Sequence, residues 1–145
     1  MPKRSLYLLL VFIFLMSACN KNEELAGKKF NLAYTPVLQE DIEKPNAYDS
    51  LIKLTFSEDH TVNNTISELN GSYELKNSQL SLYFNNENEN LVINISLEKS
   101  DKDFSEYSAL ITDVKYEIEN EDELALLKDL FFDLQKDRPM EFIIE

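Results

Sequence analysis

From Lys28 onward, apolar and polar residues alternate with a period of two along most of the chain. Phe30, Leu32 and Tyr34 stand against Lys29, Asn31 and Ala33, the pattern of a half-buried strand whose successive side chains point to opposite faces. Ile52, Leu54 and Phe56 alternate with Lys53, Thr55 and Ser57, and a weaker run of Val62, Asn64 and Ile66 follows Glu58-Asp59-His60. The two runs read as a hairpin. Asn70-Gly71 predicts the next turn, with glycine free to take positive φ. Tyr73 and Leu75 resume the pattern, Asn77-Ser78 turns the chain back, and Leu80, Leu82 and Phe84 form another inward row. After the polar turn region Asn85 to Asn90, Leu91, Ile93, Ile95 and Leu97 give the cleanest alternation in the chain.

The phase then changes. Tyr107, Ala109 and Ile111 occupy odd positions, whereas Val114, Tyr116 and Ile118 occupy even ones. One extra residue reverses the pleat, so a bulge or tight turn near Thr112-Asp113 would keep both sets facing the core. Leu124, Leu127, Phe131 and Leu134 change to helical spacing, with Leu130 beside them. Asn120 with Glu123 three residues on makes a capping box, and Lys136, Arg138 and Pro139 supply a stop, so a helix is expected between them. Met140, Phe142 and Ile144 give a terminal strand. Thr35 to Asp49, with Pro36 and Pro45, reads as a long loop holding at most a helical turn.

These elements predict a mainly β domain of about eight antiparallel strands, with one late amphipathic helix and a terminal strand. A barrel or strongly curved sheet suits them, because closure removes sticky edges that one helix could not cover. The pattern leaves a closed barrel and a half-open sheet both available.

The first residues break with this plan. Lys3 and Arg4 precede an apolar run from Leu6 to Met16, the layout of an export signal. At about eleven residues, roughly 16 Å as helix, the run is short for a bilayer core of about 30 Å. Leu15-Met16-Ser17-Ala18-Cys19 resembles the lipobox of bacterial lipoproteins, with Met16 where leucine is usual. The resemblance implies cleavage after Ala18, diacylglycerol on Cys19, and anchoring at the extracytoplasmic face of the cell membrane. Expected boundaries are a signal peptide over 1–18, an acylated cysteine and tether over 19–26, and a single domain over 27–145. Cys19 is the only cysteine and His60 the only histidine, so neither a disulfide framework nor a structural zinc site is expected.

Within the domain, Gly27-Lys28-Lys29-Phe30, Gly71-Ser72-Tyr73, Leu80-Ser81-Leu82 and the order helix then last strand resemble small lipocalin-like domains of bacterial lipoproteins. Phe30 stands where that family has tryptophan. The resemblance implies a barrel with a ligand cavity and assigns no binding residue.

Charge narrows the partners. The 27 acidic residues all follow Ala18, where they face 12 basic ones, a formal charge of −15. Such a field repels nucleic acids and anionic headgroups and attracts cations or basic peptides. His60 beside Asp59 is the one candidate general base, but a turn position argues for exposure and against catalysis. The clusters Glu40, Asp41, Glu43 and Glu119, Glu121, Asp122, Glu123 lack the EF-hand spacing and read as solvated loops. Asn63, Asn70 and Asn94 begin glycosylation sequons without meaning in a bacterial lipoprotein. No nucleophile or phosphate-loop motif occurs. The expectation is a monomeric, non-catalytic cell-envelope binding protein without a cofactor and of unknown ligand, a small apolar molecule or a peptide held at the barrel mouth or its acidic rim. The alternative is an immunity or exclusion factor that captures a cationic peptide or protein.

Overall fold

The computed structural model describes residues 24–65 and 70–145. The expected signal peptide, Cys19, most of the tether and the strand position Ile66 lie outside the described residues. Eight antiparallel strands run in sequence order around a closed barrel: β1 (Lys29–Tyr34), β2 (Asp49–Phe56), β3 (Thr61–Asn64), β4 (Asn70–Lys76), β5 (Gln79–Asn85), β6 (Glu89–Lys99), β7 (Ser105–Ile118) and β8 (Pro139–Ile144). The half-open alternative is thereby excluded, because β8 pairs with β1, from Phe30 opposite Ile144 to Tyr34 opposite Met140. Among the described residues, no helix is long and apolar enough to cross a membrane.

The inward rows are those the alternation marked. Phe30, Leu32, Leu54, Phe56, Leu80, Leu82, Phe84, Leu91, Ile95, Ile111 and Phe142 are all fully or almost fully buried. Near the end where β1 begins, Phe30 meets Phe56, Tyr107 and Phe142 edge to face, with centroids 5.5 to 6.3 Å apart, the geometry ring quadrupoles favour. The phase change in β7 is a bulge. Asn94 pairs with Asp113 and Ile95 with Ile111, leaving Thr112 as the extra residue, and its hydroxyl donates to the Asn94 carbonyl at 3.1 Å. Asn77 and Ser78 both take positive φ, 49° and 63°, as the two-residue turn between twisted strands requires.

Three expectations change. Leu25, placed in the tether by its polar neighbours, is fully buried in the core, and the Glu24 carboxylate accepts a 2.8 Å hydrogen bond from the Tyr107 hydroxyl. The packed domain therefore includes Glu24, and Leu25 stops the barrel at that end. Second, Gly71 lies within β4 with no positive φ, rather than at a turn. Its role is close approach, for a Cβ there would stand 2.5 Å from both the Phe84 ring and the Tyr83 carbonyl oxygen.

Third, the helix is short. Asn120 opens a turn rather than a capped helix, with Asn120 Nδ2 donating to Glu123 Oε1 at 3.0 Å, the Glu123 N–H to the Asn120 carbonyl at 3.2 Å and the Asn120 N–H to Asn88 Oδ1, and only α1 (Lys128–Asp133) is helical. Residues 119–127 cross the barrel mouth as irregular chain instead, and Leu127 and Leu130 insert into the core. The segment 119–138 is thus a lid on the mouth opposite Leu25.

A Gly71→Ala substitution is expected to destabilise the barrel by about 1–3 kcal/mol, the usual cost of overpacking a filled core. Urea unfolding checks this, and an unchanged midpoint would mean that both the Phe84 ring and the β5 backbone at Tyr83 give way freely.

Candidate functional site

Two buried carboxylates organise the regions outside the barrel wall. The first, Glu89, occupies the opening inward position of β6, two residues before Leu91, and is 3% exposed. Its oxygens accept from Asn86 Nδ2 (3.0 Å), Tyr116 Oη (2.8 Å), Leu126 N (2.7 Å) and Leu127 N (2.9 Å). Burial alone would push this carboxyl up, yet the hydrogen bonds from Asn86, Tyr116, Leu127 and Leu126 outweigh it and hold the carboxyl below its usual range. Tyr116 is pushed up to about 12, first by burial and then by its bond to Glu89. Asn88 completes the clamp, since its Oδ1 accepts from Asn120 N at 2.8 Å and its Nδ2 donates to the Asn120 carbonyl at 3.1 Å.

At the far side of the lid, the Tyr34 hydroxyl donates to the Asp133 carbonyl at 2.9 Å and accepts from Gln135 N at 2.6 Å. Arg138 lies 4.1 Å over the Tyr34 ring. The bore therefore has Leu25 at one end and a stitched lid at the other, and the mouth expected to admit a ligand holds Leu127 and Leu130.

The second carboxylate, Glu141, points outward from β8 and is also 3% exposed. Lys102 Nζ lies 2.9 Å from Oε1, Ser108 Oγ 2.9 Å from Oε1, and Ser105 Oγ and Ser100 Oγ 2.7 and 3.0 Å from Oε2. The long loop 35–48 shields it from water. That loop is two 3-10 turns, Gln39–Asp41 and Pro45–Ala47. Tyr48 Oη donates to the Ile42 carbonyl at 2.8 Å and the Tyr48 ring meets Phe104 edge to face at 5.4 Å.

Between this loop and the outer face of β6, β7 and β8 lies a groove of about 340 Å³. Its walls include Ile42, Leu110 and Pro139, and its polar groups are Ser96, Ser108 and the Lys102–Glu141 pair. A concave, mostly apolar surface with a few converging polar groups is the usual form of a small-molecule site. Burial alone pulls the Lys102 ammonium down, but its hydrogen bond to Glu141 and the charge beside it more than offset that, and its pKa is raised. Lys102 thus stays a cation at the groove floor.

The sequence-predicted candidates lie elsewhere. His60 sits exposed in the β2–β3 turn at φ 64°, with its ring edge on Tyr73 at 5.8 Å. Asp59 Oδ1 accepts from Thr61 Oγ1 at 2.6 Å and Thr61 N at 3.2 Å, which hold its carboxyl below the usual range. The two acidic clusters stand on the loop 35–48 and on the lid. Among the described residues, no three or more histidine, cysteine or acidic side chains converge as metal ligands would. Neither Glu89 nor Glu141 was singled out by the sequence, though Glu89 continues the inward phase of Leu91 to Leu97.

A closed, sequential, antiparallel ring of eight strands places the protein in the up-and-down β-barrel class. No family model, curated protein or solved structure matches the chain.

A Glu89→Gln variant is expected to lose about 2–4 kcal/mol at neutral pH, because an amide group would face N–H donors in a buried place. Glu89 is depressed in the folded state, so its contribution is present above the unfolded carboxyl value and disappears as pH falls through the folded one. Wild-type stability should therefore drop on acidification more steeply than that of the variant, as read by unfolding at pH 7 and pH 3. For the second site, Glu141→Ala is expected to cost at most about 3–5 kcal/mol, by leaving the buried Lys102 only the exposed Asp101 carboxylate at 3.4 Å. In a denaturant series, a loss well under about 1 kcal/mol would show that water replaces the pair.

Proposed function

We propose that the protein is a lipid-anchored, non-catalytic binding module on the extracytoplasmic face of the cell membrane, and that its ligand is a small, largely apolar molecule held in the outer groove. The groove carries this reading: Ile42, Leu110 and Pro139 offer an apolar wall, while Ser96, Ser108 and the Lys102 ammonium offer a polar end. A ligand with an apolar body and one hydrogen-bonding terminus fits that division. The bore is a weaker candidate, since each mouth carries buried leucines.

The anchor rests on the lipobox resemblance at Cys19. Leu25 follows Cys19 by six residues, so the chain between them spans at most about 20 Å, and the Leu25 end of the barrel would stand next to the bilayer. Two acyl chains would make the attachment stable, because one alone gives only marginal binding. Support for a non-catalytic role comes from His60, which stands exposed, and from Asp59, which is committed to Thr61.

Displacement of 1-anilinonaphthalene-8-sulfonate and native mass spectrometry test the ligand reading. The dye should bind the wild-type protein and lose affinity about tenfold or more when Leu110→Glu puts charge on the apolar wall. Equal binding by the variant would move the ligand away from the groove. For the anchor, cells grown with labelled fatty acid should label the wild-type chain and not Cys19→Ala; label on both, or on neither, overturns it.

A further inference from the structure

We propose that the lid mouth is a docking surface for a cationic, amphipathic peptide segment. Of the eight large hydrophobic side chains exposed among the described residues, three lie on the lid, Leu124 (78%), Leu126 and Phe132 (67%), and two, Val37 (93%) and Leu38, on the other connection, whose loop 35–48 folds over the outer face of β6 to β8. Leu127 and Leu130 face the core, while Leu124 and Phe132 stand largely exposed, Phe132 resting one side of its ring on Phe131 at 5.5 Å. Apolar side chains gathered at one end of a small barrel mark an interaction surface more often than scattered ones do.

Beside the lid, the β5–β6 turn and the end of β7 form a cup of about 420 Å³ lined by Asn86, Glu87, Asn90, Glu117 and Glu119 among others. Its side chains include the carboxylates of Glu87, Glu117 and Glu119. Glu87, Glu117, Glu119 and the neighbouring Glu121 and Asp122 form no ion pair with any described residue. On the other connection, Asp41 is paired with Lys44 at 2.7 Å, while Glu40 and Glu43 are likewise outside every described ion pair. The surface is thus apolar at the lid and anionic around it.

That combination selects the occupant. A second copy of the chain would bring −13 against −13, and like charges brought together cost an interface its stability. Anionic headgroups and nucleic acids meet the same repulsion. A segment with lysine or arginine flanking leucine-like residues has the complementary pattern: its cations enter the cup and its apolar residues cover Leu124 and Phe132. The inference stands apart from the outer groove and from the anchor, using neither Lys102, Glu141 nor Cys19.

The test is fluorescence anisotropy with the full-length chain and a labelled peptide of alternating arginine and leucine blocks. Controls are a peptide with glutamate for arginine and one with glycine for leucine. The wild type should bind the first peptide, more weakly as salt rises, and both controls at least about tenfold more weakly. Glu117→Lys with Glu119→Lys should reduce affinity about tenfold, and so should Phe132→Ser with Leu124→Ser. All four positions are solvent-facing, so melting curves should hold. No binding, equal binding of the glutamate peptide, or variants that bind like wild type would each overturn the proposal. Preferential binding of lipid vesicles over the peptide would overturn it in favour of a membrane surface.

Discussion

Closure of the barrel through β1 and β8 is the constraint from which the other features follow. The strand that completes the ring is the last one, and β8 begins at Pro139 opposite Leu110, well short of the end of β7 at Ile118. A tight turn cannot span the roughly 26 Å of strand between those two positions. The chain returns through residues 119–138, and Leu127 and Leu130 of that connection are buried in the open mouth beside it. Leu25 fills the opposite mouth before β1 begins. An eight-stranded barrel has an interior just wide enough for side chains or one small ligand, and here the leucines from both ends complete a core of side chains.

The polar groups are arranged by the same constraint. An irregular chain laid across an apolar mouth exposes backbone N–H groups that a helix would satisfy internally, and buried unpaired donors are costly. Glu89 meets that demand from the barrel side, because the first inward position of β6 lies at the rim and reaches Leu126 and Leu127. Glu141 plays the matching part outside. It lets the β6–β7 turn, through Ser100 and Lys102, attach to β8, while the loop 35–48 excludes water. In each place a carboxylate is tolerated in a buried position because every donor around it is already aimed, as full satisfaction of a buried polar group requires. The lid is therefore held both by the burial of Leu127 and Leu130 and by the Glu89 hydrogen bonds, and the groove by the Lys102–Glu141 pair.

The division between legible and hidden follows that difference. Strand positions could be read because a two-residue period is a local signal, and the bulge at Thr112 could be placed because a reversed phase has one physical cause. The lid could not. Asn120, Glu123 and the spacing of Leu124, Leu127, Phe131 and Leu134 are sound helix signals, but tertiary contacts take the backbone groups a helix there would use, and Asn120 to Glu123 form only a turn. Glu89 takes the N–H groups of Leu126 and Leu127, and Asn88 pins Asn120, so the chain is stretched across the rim and winds only from Lys128. The outer groove was hidden for a similar reason. Nothing local tells Glu141 from other outward charged positions such as Lys53 or Glu98 until the loop 35–48 is folded over it. Gly71 shows the converse, a residue correctly marked as special whose reason is the Phe84 ring rather than a turn.

An antiparallel barrel also has two chemically different ends, since odd strands begin where even strands finish. Here the difference is large. The Leu25 end carries the tight Asn77-Ser78 turn, the short β2–β3 and β6–β7 turns, and the aromatic cluster around Phe30. The lid end carries the long connections, most of the exposed apolar side chains and the unpaired carboxylates of the acceptor cup. Under the proposed anchoring at Cys19, the Leu25 end stands against the bilayer and the lid end faces away from it. Under that proposed anchoring, the apolar lid and its acidic surround would be turned toward whatever approaches the membrane from outside.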